Sequence, residues 1–275
     1  FEHLTTPDTA MNFDTDFIEL PENGNASLPA AARPWRWKAL ALTVEKKSPR
    51  EFTWTRLAAL RARGAELFVD AIQGLGATPL HVDMGFDYLA SGGHKWLLAT
   101  EGAGLLYVRR ERMAELTPHL AGWLGHEHAV DFLTRGPGHL DYDAPLRTDA
   151  EVFEPGTLNL LGYEALGVGI VPAEQLGVSA IHVHVNAYLD ALEAELVALG
   201  FRSLRAAEAS RRSTLLSAHP PLGVDPVRLQ AALGARSVIC AIPDGVLRFS
   251  PHFHNHADEV PKVAAAVREA LAAVG

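Results

Sequence analysis

The sequence contains one cysteine, Cys240, in 275 residues, which excludes an internal disulfide and fits a reducing compartment. It also lacks any excess of positive charge. Lysine and arginine number 24 against 33 aspartates and glutamates, and a formal net charge of −9 argues against nucleic acid or an anionic membrane surface as the main partner, since both need a basic face. No apolar run reaches the length of a membrane span, and no basic stretch followed by an apolar one opens the chain. Neither a spanning helix nor a signal peptide is therefore expected, and a cytoplasmic location is. Residues 1–39 hold no glycine-rich strand-to-helix turn of the kind that cradles phosphate, and no strong amphipathic helix. No internal repeat or low-complexity tract occurs. The length allows a sizeable core in one large or two modest domains.

What is present is concentrated between residues 66 and 108. The β-rich run Leu67 to Val69 delivers Asp70 to the end of a predicted strand, and Gln73 follows on a glycine-rich turn. A second predicted strand, Phe86 to Ala90, ends at Ser91-Gly92-Gly93-His94-Lys95. A carboxylate, an amide and an imidazole thus gather beside one amine at the carboxyl ends of strands, which is what Schiff-base chemistry with a pyridoxal ring requires. Asp70 would keep a pyridine nitrogen protonated, and Gln73 could donate to the ring's phenolate oxygen. His94 and the neighbouring glycine amides could reach a phosphate. Lys95 would attach to the ring's aldehyde and then shuttle the proton at the substrate Cα. Either Asp70 or Lys95 alone reads as an ordinary surface residue after a strand; their joint occurrence points to the chemistry.

These segments carry a resemblance. Asp70-Ala71-Ile72-Gln73 followed by Gly92-Gly93-His94-Lys95-Trp96 resembles the core of the class V aminotransferases, fold-type I pyridoxal-phosphate enzymes that include cysteine desulfurases, selenocysteine lyases and kynureninases. Phe153-Glu154-Pro155-Gly156-Thr157-Leu158-Asn159 resembles the family's phosphate-contact segment, often placed across a dimer interface, which implies a homodimer in which Thr157 serves the partner subunit's cofactor. Arg248-Phe249-Ser250-Pro251-His252-Phe253-His254-Asn255 resembles the small-domain segment whose arginine grips the substrate α-carboxylate. The resemblance runs from about Leu40 to the C-terminus. It implies an α/β fold, with a mixed, mostly parallel sheet in a shortened large domain over residues 1–175 and a smaller C-terminal α/β domain over 176–275. Pyridoxal 5'-phosphate is the cofactor implied, and a small amino acid the substrate.

Two departures accompany the resemblance. The family's first third, with its phosphate-binding turn, has no counterpart in this sequence, which opens on Phe1 and is compatible with a fragment, a processed product or a shortened paralogue. Gly92 stands where the family often has serine, removing one hydroxyl from the expected phosphate site.

Other residues have readings of their own. Arg248, on a predicted strand from Val246 to Ser250, offers a planar fork matched to a carboxylate, against a surface arginine paired with a nearby acid. Thr157 also reads as the N-cap of an apolar helix from Leu158 to Val171. Cys240 lies within the apolar run Val238 to Ile242 and reads as a small buried residue rather than a desulfurase nucleophile, which needs a mobile, partly exposed thiolate. His252, His254 and His256 alternate along a possible strand face, with His182, His184, His126 and His128 elsewhere, but neither a cysteine pair nor an H-E-x-x-H motif accompanies them, and no metal is assigned.

The remaining elements follow from period and punctuation. Helices are expected over Thr53 to Arg63, Ile181 to Leu199, Asp225 to Leu233 and Ala257 to Val274, and strands over Gly104 to Val108, Ser213 to Ala218 and Val238 to Ile242. Residues 118–156 read as a long loop. The expected function is an aminotransferase-like reaction through Lys95. The alternatives are β-elimination of the cysteine desulfurase or selenocysteine lyase type, and a non-catalytic relative with a structural or regulatory role.

Overall fold

The computed structural model describes residues 66–275 except 142, 210 and 211, together with Ala62, Gly64 and the backbone strand Trp37–Ala41. The helix expected over Thr53 to Arg63 lies outside the described residues apart from Ala62, which is helical.

Four strands form the first sheet, in the order β1 (Trp37–Ala41), β2 (Glu66–Asp70), β3 (Tyr88–Gly92) and β4 (Gly104–Val108). The first two pairings are parallel and the third is antiparallel, so the mixed, mostly parallel sheet is as expected. Alternation along β2 buries Leu67 and Val69, which pack with Ala71, Phe86 and Leu89 into one apolar cluster.

The strand carrying the lysine loop begins at Tyr88 rather than Phe86, and Asp87 is the reason. Its fully buried carboxylate accepts the Leu67 N–H at 2.9 Å and the Arg112 Nε at 3.0 Å. A side chain thus occupies the donor that would otherwise extend the ladder. Beside it, the Tyr88 hydroxyl donates to Glu66 at 3.2 Å, and burial followed by the Glu66 charge pushes that phenol up to about 12.

Residues 118–156 are largely irregular, with isolated helical turns at Trp123–Gly125, Asp131–Arg135, Pro137–His139 and Ala150–Phe153. Helix α1 (Leu160–Leu176) then begins two residues later than Leu158. Asn159, not Thr157, is its N-cap: the Asn159 Oδ1 accepts the Gly162 N–H at 3.0 Å, leaving Thr157 exposed. Gly177, with φ 80, separates α1 from α2 (Val178–Ala198) at a bend of 79°. Among the described residues no single helix is long and apolar enough to cross a membrane.

The second sheet is antiparallel, in the order β5 (Arg202–Ser203), β6 (Leu216–His219) and β7 (Leu247–Phe249). Helix α3 (Pro226–Gly234) is opened as expected by Asp225, which accepts the Val227 N–H at 2.8 Å ahead of Pro226. Helix α4 (Val260–Val274) closes the chain. Ile181, Val185, Leu189, Leu192 and Leu196 of α2 pack with Leu229, Leu247, Val260 and Val267 into the larger core, which also takes in Ala77 and Trp96 from the lysine half.

Two expected strands fare differently. Val238 to Ile242 is not a strand: Ser237 has φ 61 and Pro243 follows, and the segment keeps an isolated β-bridge at Ala241, which exchanges bonds of 3.1 and 2.8 Å with Arg248. The strand expected from Ser213 starts at Leu216, because the Ser213 hydroxyl takes the Leu215 N–H at 3.2 Å in a local turn.

Candidate active site

Parallel pairing brings Asp70 opposite Ala90, and the Ala71 N–H donates to the Ala90 carbonyl at 2.8 Å. The carboxylate at the end of β2 and the loop that leaves β3 toward Lys95 therefore emerge side by side. One Asp70 oxygen accepts the Ile72 N–H at 3.1 Å and starts the turn that carries Gln73.

Asp70 lines a cavity of about 600 Å³, with Phe68, Ile72, Ala90, Gly92, Leu106, Phe153 and Tyr163 among its other walls. Phe68, Asp70, Ala90, Gly92 and Leu106 project from one face of the sheet by strand register. Gly92 shapes the rim. A Cβ there would stand 2.8 Å from the His94 Cε1 and 3.3 Å from the Ile72 Cδ1, so glycine lets the imidazole lie across the strand end.

The lysine loop is tightly tied. The Gly93 N–H donates to Ala103 and the Ala99 N–H to Gly93, each at 2.9 Å, and the Lys95 carbonyl accepts from Leu98 at 3.2 Å. Leu98 itself has φ 55, a left-handed conformation that a branched side chain adopts at a cost of about 1 kcal/mol or more. Helix α1 braces this loop: a Cβ on Gly93 would meet Leu166 at 2.8 Å, and Gly169 lies against the Leu97 carbonyl.

Of the expected site residues, Asp70 lines the cavity, and His94 is exposed with its ring against the cavity wall at Gly92. Gln73 and Lys95 are half-buried in the adjoining loops. Thr157 is exposed and outside the cavity lining, and Arg248 lies on β7 in the second sheet, opposite Ser217. Of the glycine amides expected to face a phosphate, that of Gly93 is instead held by the Ala103 carbonyl. The Ser91 hydroxyl likewise donates to the Gly92 carbonyl at 3.1 Å. Sequence reasoning missed Ile72, Phe153 and Tyr163 as cavity walls; Ile72 lay within the Asp70-to-Gln73 motif, whereas Tyr163 carries no local signature.

The histidines have separate tasks. His256 caps a helical turn by accepting the Asp258 N–H, and the His184 Nε2 bonds the Asn255 carbonyl at 2.8 Å. The His182 Nδ1 bonds the Ala77 carbonyl at 3.1 Å. Among the described residues no group of three or more His, Cys, Asp or Glu could hold a metal ion.

The family model of the class V aminotransferases matches residues 53–262. The chain belongs to that family. The uncharacterized aminotransferase YcbU of Bacillus subtilis is 30% identical over 199 residues, 72% of this chain and 50% of that protein. The cysteine desulfurase CsdA of Escherichia coli superposes with a TM-score of 0.69 at 20% identity, over 81% of this chain and 55% of that one. A mutant of the cystine C-S lyase C-DES with glycine covalently linked to its PLP cofactor superposes with a TM-score of 0.65 at 19% identity, over 74% and 51% of the two chains. These likenesses establish the fold, and the chain spans about half the length of the relatives it matches.

Proposed function

We propose that this chain carries the lysine-bearing part of a pyridoxal-phosphate site that acts on a small amino acid. The observation behind the reading is the pairing of Asp70 with Ala90, which sends a carboxylate and the Lys95 loop out of the same end of adjacent parallel strands, beside a cavity with Asp70 in its wall. The residues suit the cofactor. A cavity of about 600 Å³ is of small-ligand size, its carboxylate complements a pyridinium, and its apolar walls suit a flat ring.

Pyridoxal phosphate, when bound, supplies an aldehyde for attachment of amines and a ring that takes up carbanion electrons. Asp70 would hold a proton on the ring nitrogen, and Gln73 would donate to the ring oxygen. His94, the exposed donor at the rim, would meet the phosphate. The Lys95 amine would bond the aldehyde and, once displaced by substrate, carry the proton at Cα. The Arg248 guanidinium would orient the substrate carboxylate through two parallel hydrogen bonds.

Transamination suits the chain better than sulfur abstraction. Cys240, the one cysteine in the sequence, sits at 9% exposure in the larger core, and burial pushes its thiol up to about 11, away from the thiolate a desulfurase needs. A C2 homodimer is part of the proposal: Thr157 is exposed, and Leu160, Leu161 and Val168 of α1 present apolar side chains to the outside.

Adding pyridoxal phosphate to the purified chain should produce a visible band. Borohydride should fix the adduct, peptide mass spectrometry should map it to Lys95, and Lys95→Ala should abolish it. A folded protein that develops no band would overturn this reading of the chain.

A further inference from the structure

Trp96 follows Lys95 directly, and His252 lies four positions beyond Arg248. The two rings stack, with centroids 4.3 Å apart and planes inclined by 24°. His254 stacks on His252 at 5.0 Å and 20°, so the His252 ring lies against both Trp96 and His254. Phe253 meets the same ring edge-on at 4.6 Å.

Both nitrogens of this imidazole are buried without a well-formed hydrogen bond among the described residues, although the Trp96 backbone acts on the ring. The packing of the ring is therefore carried chiefly by its flat faces, which is how aromatic stacking acts.

The turn that presents the plate is fixed from several sides. The Asn255 Oδ1 accepts the His252 N–H at 2.8 Å, and the Asn255 amide donates to Glu259 at 3.0 Å. The Asn255 carbonyl is also bonded by His184 of α2 at 2.8 Å. On the other side Trp96 is buried in the larger core, where it contacts the turn after Gln73: a Cβ on Gly76 would stand 3.3 Å from the Trp96 Cβ. His182 of α2 grips that same turn through the Ala77 carbonyl.

We propose that His252 is a positioning residue, which fixes the Lys95 loop against the Arg248 segment by stacking on Trp96. The stack joins the neighbour of Lys95 to the segment that begins at Arg248, and on the reading proposed above it sets how the Lys95 amine and the Arg248 guanidinium are placed relative to each other. His252 itself touches neither group in this role. The face of the ring carries the task, so a phenyl ring can replace it and a methyl group cannot.

The test compares the full chain with His252→Ala and His252→Phe, each checked for native circular dichroism, by amide hydrogen exchange of peptides spanning Gly93 to Ala99. His252→Ala should speed exchange there by roughly tenfold, the scale of one lost aromatic contact, while peptides from β2 stay unchanged. His252→Phe should restore the slow exchange. With pyridoxal phosphate added and an amino-acid substrate in hand, His252→Ala should raise KM by about tenfold with kcat within about twofold, and His252→Phe should reverse the change. Unchanged exchange in His252→Ala, or faster exchange that His252→Phe does not restore, would overturn the proposal whether or not the cofactor binds. Exchange that follows the expected pattern in a protein whose Lys95 takes up no cofactor would uphold the stack as the fixing contact and sink the cofactor reading alone.

Discussion

Gly169 and the carbonyl of Leu97 are in backbone contact: a Cβ on Gly169 would stand 2.0 Å from that oxygen. The oxygen belongs to the loop that Lys95 opens, so the approach of α1 to the reactive amine depends on one missing methyl group. Gly169→Ala should force the helix off the loop and destabilise the protein by about 1–3 kcal/mol in urea denaturation, the usual cost of overpacking. Gly167, on the same helix, faces open space. Gly167→Ala should instead stabilise by up to about 1 kcal/mol, the difference in helix propensity, and a similar loss at both positions would refute the contact.

Asp87 gives a second prediction. Both of its carboxylate oxygens accept, one from the Leu67 N–H and the other from Arg112, with Arg109 at 3.7 Å. Asp87→Ala should cost about 3–5 kcal/mol, since it strands donors and leaves the arginines without their buried partner. Asp87→Asn should recover little, because its NH2 group must face a donor on one side or the other. Chemical denaturation of both variants decides this, and a nearly neutral Asp87→Asn would count against the assigned geometry.

The acid limb of stability should report His252. Burial, and then the nearby His254, lower its pKa from 6.5 to about 4, and the Trp96 backbone offsets only part of that shift. The unfolded chain therefore binds the proton more readily than the folded one between these values. The stability associated with a neutral His252 is complete above pH 6.5 and is lost as the pH falls through about 4. Thermal melts of the parent should show this decline, and His252→Phe should flatten that part of the profile.

Cys240 should be slow to react. Its thiol is pushed up to about 11 by burial alone. Iodoacetamide at pH 8 should label the native protein far more slowly than the unfolded one, and Cys240→Ala should leave any amino-acid turnover unchanged. Rapid native labelling, or a Cys240→Ala protein that fails to turn over substrate, would restore the sulfur-transfer reading.

The parts of the molecule legible in the sequence are those governed by local rules. The β-rich run Leu67 to Val69 placed β2 and its terminal Asp70, a short apolar run placed β4 with correct bounds, and Asp225-Pro226 marked the start of α3. What escaped depends on contacts between distant segments. The start of β3 is set by where the Asp87 carboxylate finds the Leu67 N–H. The start of α1 went to Asn159 because that side chain takes the Gly162 N–H, a choice among neighbouring polar residues that spacing does not make. β5 has two residues, too few to show any period. In the candidate site, Asp70 was readable from its place at a strand end. The stack of Trp96 on His252 was not, because two rings so far apart in the chain leave no pattern in either segment.

The bend at Gly177 places the two long helices on different tasks. Helix α1 bears on the lysine loop and α2 on the core that also holds Leu247 and Phe249 on either side of Arg248, and the residue between them is bonded into both helices: its N–H donates to the Ala173 carbonyl at 3.0 Å and its carbonyl accepts the Ile181 N–H at 3.1 Å. A side chain that cannot hold the left-handed φ of 80 at Gly177 would therefore be felt twice, at the loop that bears the lysine and in the core beneath the arginine strand.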